Sequence, residues 1–170
     1  MKTSKTRKKK MKLLLIGYGR HGKDTVAEII HEKYNLKFIS SSLFAAENIV
    51  YPVLKSRYSS VQECFDDRIH HRKEWYDLIC DFNSEDPAKL ARCIFEQYDM
   101  YVGMRSSKEL QTVRNLGLVD FIIWVDASRR LPIEDVSSCT VSSTDADFII
   151  DNNGTLEELH TNISSLWTKF

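Results

Sequence analysis

The sequence contains no long hydrophobic run and no excess of charge of either sign. Its longest apolar stretches, residues 13–16 and 121–125, are far shorter than the roughly 20 residues of a membrane helix, so no segment is expected to span a bilayer. Lysine plus arginine and aspartate plus glutamate each total 24, and 42% of the 170 residues are hydrophobic. This composition indicates one soluble domain, too short for two independent catalytic domains.

The cysteines show none of the spacings that indicate a metal or redox centre. No two of them form a C-x-x-C pair, which argues against a zinc site or a dithiol redox motif. The adjacent His70 and His71 would point in different directions on a helix, so they are not expected to grip a metal together. We expect a cytoplasmic protein with reduced thiols at Cys64, Cys80, Cys93 and Cys139.

Positive charge is concentrated at the N-terminus. Residues 1–10 carry six lysines and arginines and no acid, which leaves 18 basic against 24 acidic residues from Met11 onward. Such an acidic body lacks the electrostatic surface of a dedicated nucleic-acid binder. The prediction is a flexible basic tail over residues 1–10 and a single domain over residues 11–170, with small molecules as partners. Both a monomer and a homodimer are compatible with the sequence.

Short apolar runs alternate with helical patterns along the chain, which is typical of a parallel sheet wrapped by helices. The predicted fold is α/β, with a five-stranded parallel sheet flanked by helices. Strands are predicted at residues 13–16, 37–40, 99–103, 120–125 and 148–150, and no element is assigned within residues 56–82 or 127–145. Helices are predicted over residues 22–34 and 43–55, after Asp86-Pro87, and after the capping-box patterns Ser106-x-x-Glu109 and Thr155-x-x-Glu158.

Residues 17–25, Gly-Tyr-Gly-Arg-His-Gly-Lys-Asp-Thr, are termed the phosphate loop because they have the G-x-x-x-x-G-K spacing of such a loop. The segment follows an apolar strand and opens an amphipathic helix, as the mechanism requires. Glycines let the backbone aim N–H groups at a phosphate, and the lysine adds a mobile charge. The expected ATP and phosphate ligands are Gly17, Gly19, Arg20, His21, Gly22, Lys23, Asp24 and Thr25, with Asp24 and Thr25 also holding Mg²⁺.

The G-K-D-T sequence at residues 22–25 resembles nucleoside monophosphate kinases, and more narrowly the deoxynucleoside monophosphate kinases of tailed bacteriophages. Residues 145–159 resemble that family's last strand and the loop after it, and residues 137–138 are similar to the serines that often end its flap. The resemblance implies a three-layer P-loop kinase fold and transfer of the ATP γ-phosphoryl group to a (deoxy)nucleoside monophosphate in the cytoplasm, the host's if a phage encodes the chain. It also implies that Asn152 and Gly154 lie against the adenine.

Arg105 follows the third predicted strand, and phosphoryl transfer needs positive charge around the migrating group. It matches the arginine of the family's strand-R-x-x-x-E pattern, which reaches the acceptor phosphate, although a surface salt bridge is the alternative. Glu109 fits the same pattern, but a capping box explains it equally well. The family's strand usually ends in an acid, whereas this chain has Gly103 there. A catalytically weak or inactive nucleotide-binding protein that acts through partners is therefore an alternative.

Arg129 and Arg130 lie in residues 127–145, termed the lid segment, where kinases of this type carry arginines that close on the transferring phosphoryl group. With Lys23 and Arg105 they complete the predicted catalytic set. A solvated basic turn is the alternative explanation for this arginine pair.

The remaining candidates concern the acceptor. Arg72 lies where monophosphate kinases place a helix over the acceptor nucleotide, and Trp75 either stacks on a base or packs inside. Ser40 and Ser42 follow the second predicted strand, where they bind the acceptor or satisfy their own backbone. A P-loop kinase for another small acceptor, such as dephospho-coenzyme A, is a further alternative.

Overall fold

Five parallel strands form the centre of the computed structural model, which describes residues 9–170. Their order across the sheet is second, third, first, fourth and fifth. The predicted strands and their parallel arrangement are confirmed, so their carboxyl ends meet at one edge, where α/β proteins bind ligands. The strands are β1 (Leu13–Ile16), β2 (Phe38–Ser40), β3 (Met100–Val102), β4 (Phe121–Asp126) and β5 (Phe148–Asp151).

Successive residues of β1 point into two different hydrophobic cores. Leu14 and Ile16 pack into one core, and Leu13 and Leu15 pack into the other. All four side chains are fully buried. A parallel strand covered on both faces in this way reads as a continuous apolar run, which is why β1 is recognisable in the sequence.

Helices cover both faces of the sheet, which gives the expected three layers. None of the helices within residues 9–170 is long and apolar enough to cross a membrane. One layer contains α1 (Lys23–Tyr34) and α8 (Leu156–Trp167). The other contains α2 (Ser41–Ala45), a π-helical turn (Ala46–Val50), α3 (Tyr51–Leu54), α4 (Val61–Asp67), α5 (Arg72–Phe82), α6 (Lys89–Gln97) and α7 (Ser107–Asn115).

The structure differs from the sequence predictions within this second layer, where the predicted helix over residues 43–55 is divided into α2, the π-helical turn and α3. Residues 61–82, to which no element was assigned, form α4 and α5; their outer faces are so polar that the few buried side chains, such as Cys64, leave a weak periodic signal. Asp86 does not open α6 directly. Its carboxylate accepts the Ala88 amide at 2.9 Å and its carbonyl accepts the Lys89 amide at 3.0 Å. Asp86-Pro87 therefore forms a turn before the helix.

Of the predicted basic tail, residues 1–8 lie outside the described residues, and only residues 9 and 10 are described. The ammonium group of Lys10 donates a 2.9 Å hydrogen bond to the carbonyl of Asn35 and lies 3.5 Å from a carboxylate oxygen of Asp99. Lys12 also bonds Asp99, which is buried. Among the described residues, side-chain contacts between this N-terminal segment and the rest of the domain begin at Lys10.

Candidate active site

The phosphate loop connects β1 to α1 at the carboxyl edge of the sheet. Gly22, immediately before α1, has a φ of 92°, a left-handed conformation that favours glycine. A Cβ atom there would also collide with the side-chain amide of Asn152, which donates a 2.9 Å hydrogen bond to the His21 carbonyl. The residue after β5 therefore supports the loop from behind, and Gly22 leaves room for that contact.

His21 is fully buried and fastens the phosphate loop to the lid segment. Its Nδ1 atom accepts the Ala127 amide at 3.1 Å, and its Nε2 atom lies 2.9 Å from the Pro132 carbonyl. This pair of contacts requires a neutral ring with its proton on Nε2. Because both ring nitrogens are used, the predicted phosphate contact of His21 is available only through its backbone.

Lys23 folds back over the phosphate loop. Its ammonium group donates hydrogen bonds to the carbonyls of Gly17 at 2.9 Å and Tyr18 at 2.8 Å. Burial, followed by the positive charge of Arg105, lowers the pKa of Lys23 from its ordinary value. The side chain is thus held at the loop by main-chain carbonyls, in a place where an added anion would stabilise its charge.

A carboxylate that the sequence reasoning did not identify connects the phosphate loop to Arg105. Glu134 accepts a 2.9 Å hydrogen bond from the Gly19 amide through one oxygen and a 2.7 Å hydrogen bond from Arg105 through the other. Burial alone would raise the pKa of Glu134, but the Arg105 and Gly19 bonds outweigh it and hold the pKa below its ordinary value. The structure therefore brings Lys23 and Arg105 together at one site that already holds an anion.

The missing strand-end acid has a conformational explanation. Gly103, directly after β3, has a φ of 107°, which is strained for any residue with a side chain. A Cβ atom there would lie 3.1 Å from the hydroxyl oxygen of Ser41, and that hydroxyl donates a 3.0 Å hydrogen bond to the Gly103 carbonyl. A carboxylate therefore fits poorly at this strand end.

Oxygen donors suited to Mg²⁺ are present beside the phosphate loop. Asp24 and Thr25 are exposed on the first turn of α1, and neither side chain hydrogen-bonds to another residue of the described chain. Asp126, at the end of β4, is instead occupied by Ser128 and Asn153. Within residues 9–170 no three potential ligating side chains form a cluster. This donor set fits an ion that takes most of its ligands from nucleotide phosphates and water.

Glu109 points into the protein rather than toward the start of its helix. Ser106 accepts the Glu109 amide at 3.3 Å, as a capping box requires, but the Glu109 carboxylate accepts the hydroxyl of Tyr101 at 2.9 Å. The prediction of a reciprocal box is therefore wrong at this helix, because the buried tyrosine hydroxyl takes the carboxylate. Burial raises the pKa of Glu109 to about 7, opposed in part by the Tyr101 bond. At α8 the box with Thr155 and Glu158 is confirmed.

The two lid arginines lie in a turn beside the loop that follows β5. Arg129 donates a 2.7 Å bond to the Asp151 carboxylate, and its amide donates to Asn153 at 2.8 Å. Arg130 donates to the Asn152 carbonyl at 2.7 Å. Both side chains thus lie against the segment expected to contact adenine, where Gly154 is exposed, and neither bonds the phosphate loop.

The predicted acceptor residues are distributed over separate places. Ser40 caps α2 by accepting the Leu43 amide at 3.2 Å, and Ser42 is half-buried in the first turn of that helix. Arg72 lines a cleft of about 690 Å³ formed by residues 70–81, to which the phosphate loop does not contribute. Trp75 is 6% exposed within a hydrophobic core, so packing rather than stacking describes it.

No family model and no curated protein matches this sequence. Among solved structures, the chain is similar to the shikimate kinase of Bacteroides thetaiotaomicron, with a TM-score of 0.58, 11% identity and coverage of 95% of this chain and 98% of that chain. It is also similar to the shikimate kinase of Aquifex aeolicus, with a TM-score of 0.54, 15% identity and coverage of 94% and 97%. These similarities show that the fold, a five-stranded parallel sheet flanked by helices, is shared with the two shikimate kinases. At such low identity they do not identify the reaction.

Proposed function

We propose that this protein is an ATP-dependent kinase that transfers the γ-phosphoryl group to a (deoxy)nucleoside monophosphate. One observation carries the proposal: the Glu134 carboxylate bonds the Gly19 amide and the Arg105 guanidinium at the same time. An oxygen anion therefore fits between the phosphate loop and the arginine that follows β3. A phosphoryl group in transfer between donor and acceptor needs such a position, with positive charge on both sides.

The roles of the residues follow from their positions. Backbone amides of the phosphate loop and the N-terminus of α1 bind the outer phosphates of ATP. Lys23 exchanges its two carbonyl partners for phosphate oxygens and neutralises their charge. Arg105 holds the acceptor phosphate, for which a planar guanidinium is well suited because it donates two parallel hydrogen bonds. Mg²⁺ bound with ATP at Asp24 and Thr25 would neutralise further charge on the phosphates.

A nucleoside monophosphate is the acceptor that the sequence supports best. The resemblance to phage deoxynucleoside monophosphate kinases covers residues 22–25 and 145–159, and Arg105 lies at the matching strand end. The Arg72 side chain is exposed and forms no hydrogen bond within residues 9–170, so it is free to contact an acceptor. These features support a phosphorylated acceptor more strongly than they support a particular base.

The burial of Trp75 favours a second candidate, a kinase for a different small acceptor. Stacking of a base on an aromatic ring is one common way to bind a nucleotide, and this indole is not exposed for that purpose. Tyr76 is the exposed aromatic residue on the same helix, with 68% of its surface accessible. An acceptor without a base, or one that uses Tyr76, would fit this arrangement.

An acceptor panel tests the proposal and separates the candidates. Purified protein is mixed with ATP, Mg²⁺ and one acceptor at a time: the common ribo- and deoxynucleoside monophosphates, shikimate, or dephospho-coenzyme A. We expect ADP formation well above the acceptor-free rate with at least one monophosphate. Turnover with shikimate or dephospho-coenzyme A alone would favour the second candidate. ATP binding without turnover on any acceptor would contradict the kinase proposal and favour the nucleotide-binding alternative.

A further inference from the structure

The Glu134 carboxylate occupies the positions that phosphate oxygens need in the proposed reaction. It takes the Gly19 amide at 2.9 Å and Arg105 at 2.7 Å, and it is close enough to Lys23 for their charges to interact. Its side chain is 27% exposed. The Glu134 carboxylate is thus an anion of the protein itself that occupies an anion-binding site.

The chain on either side of Glu134 is fastened to other parts of the domain, whereas the residues next to it bond only within their own turn, where the Asp135 carbonyl accepts the amides of Ser138 and Cys139. Toward the N-terminus, Ala127 and Pro132 bond His21; toward the C-terminus, the Thr140 amide donates a 2.9 Å bond to the Arg105 carbonyl. Between these anchors, the side chains of Ile133 and Val136 are 64% and 79% exposed. Residues 133–137 can therefore move away from the phosphate loop without exposing any core side chain.

We propose that Glu134 is a built-in competitor of phosphate, which closes the site in the free protein and leaves it when nucleotide binds. This inference rests on the proposed function. The Gly19 amide has one hydrogen to donate, so the carboxylate and a phosphate oxygen compete for it, and their negative charges repel each other. The apparent Kd for nucleotide is then the intrinsic Kd divided by the fraction of molecules in the open state, so a larger closed fraction weakens binding.

The same contacts predict how the two substrates influence each other. An acceptor phosphate bound to Arg105 removes one of the two partners that hold Glu134 in place. Displacement of the carboxylate then frees the Gly19 amide for the donor. Binding of the acceptor should therefore favour binding of ATP, and the converse must hold by thermodynamic reciprocity.

The test measures anion binding without catalysis. Inorganic tripolyphosphate is titrated by calorimetry, in buffer containing EDTA, into the wild-type protein, Glu134→Gln, Glu134→Ala and the control Asp135→Asn. Asp135 is exposed, its carboxylate bonds only the nearby Ser137 amide among the described residues, and its substitution changes the net charge equally. We expect both Glu134 variants to bind about tenfold more tightly, because a charged competitor is lost. The Asp135→Asn variant should stay within about twofold of wild type.

Unchanged or weaker binding by both Glu134 variants would overturn the competitor role, and so would an equal gain in the Asp135→Asn variant. Failure of all four proteins to bind tripolyphosphate would overturn this inference and the proposed function together. The two are otherwise separable. Tighter binding of tripolyphosphate by the Glu134 variants, without turnover on any acceptor, would support the competitor role and contradict the proposed kinase activity. Turnover on an acceptor, with unchanged tripolyphosphate affinity in the Glu134 variants, would support the kinase activity and contradict the competitor role.

Discussion

The amide of Ala127 donates a 3.1 Å hydrogen bond to Nδ1 of His21, which joins the start of the lid segment to the middle of the phosphate loop. The Pro132 carbonyl lies 2.9 Å from the other ring nitrogen. The ring is fully buried. Water therefore cannot replace it as the hydrogen-bond partner of the Ala127 amide and the Pro132 carbonyl. The buried imidazole therefore sets the position of the phosphate loop relative to the lid segment, together with the bond between the Gly19 amide and Glu134.

Replacement of His21 by alanine should therefore destabilise the whole domain. The change opens a cavity and leaves the Ala127 amide and the Pro132 carbonyl without partners, so we expect the free energy of unfolding to fall by about 2–4 kcal/mol. Urea denaturation measures this loss. The matched control is His31→Ala, because His31 is exposed and makes a single bond to Leu36. Equal losses in the two variants would contradict the joining role of His21.

Glu109 should make stability depend on pH in a defined direction. Its pKa is raised to about 7 in the folded protein, whereas the unfolded chain titrates near the ordinary value of 4.5. Between these two values the folded state binds the extra proton, so stability falls as the pH rises from about 4.5 to 7 and is then level. Glu109→Gln removes this loss.

The measurement is the free energy of unfolding of wild type and Glu109→Gln at pH 5 and pH 8. The difference between the two proteins should shift in favour of the variant at pH 8, by on the order of 2 kcal/mol. Glu96→Gln, at an exposed position of α6, is the control and should follow wild type at both pH values. Parallel behaviour of Glu109→Gln and wild type would contradict the raised pKa.

The positions of the strands and their parallel direction could be predicted because apolar runs such as Leu13–Ile16 are visible in the sequence, but their order across the sheet was not predicted. The phosphate loop was equally visible, since its spacing and its place between strand and helix are local. Interactions between distant residues were not predictable in this way. Glu134 and Gly19 are 115 residues apart, and a single acid in a polar loop carries no local signal. The misassigned capping box at Glu109 has a different cause: Tyr101 is only 8 residues away, but the pattern Ser106-x-x-Glu109 does not show that its hydroxyl takes the carboxylate.

Motion of residues 133–137 within the lid segment can be tested at individual amides. The amides of Ala127 and Thr140 are hydrogen-bonded and should exchange slowly in the free protein. The amides of residues 133–136 should exchange quickly in the free protein, since none of them donates a hydrogen bond within residues 9–170. A bisubstrate analogue should slow them. Equally strong protection of residues 133–136 with and without the analogue would contradict a moving lid.

Arg129 and Arg130 should affect the rate of transfer more than the binding of ATP. The Arg129 ion pair with Asp151 is 2.7 Å long, but the arginine side chain is 72% exposed, so breaking the pair costs little. If both arginines turn toward the phosphates on closure, alanine variants should lower kcat while the Kd for ATP changes less than about threefold. If the variants keep the full kcat, both arginines only stabilise the turn in which they lie and take no part in transfer.

Arg105→Ala should impair use of the acceptor without weakening the binding of ATP. The arginine holds the acceptor phosphate in the proposed mechanism, so kcat/KM for the acceptor should fall by about 100-fold or more. Loss of its bond to Glu134 should leave ATP affinity equal or slightly higher. Arg92→Ala on α6, which breaks an exposed ion pair with Asp86, is the control. Weaker binding of ATP, in proportion to the loss for the acceptor, would show that Arg105 belongs to the donor side.

The central claim is that the phosphate loop transfers a phosphoryl group, and tracing that group tests it most directly. ATP labelled in the γ-phosphate is incubated with the accepted monophosphate and wild type, Lys23→Ala, or the exposed control Lys108→Ala. The account predicts label in the nucleoside diphosphate for wild type and Lys108→Ala, and a loss of about 100-fold or more for a folded Lys23→Ala. Undiminished transfer by Lys23→Ala, or release of the wild-type label only as inorganic phosphate, would contradict it.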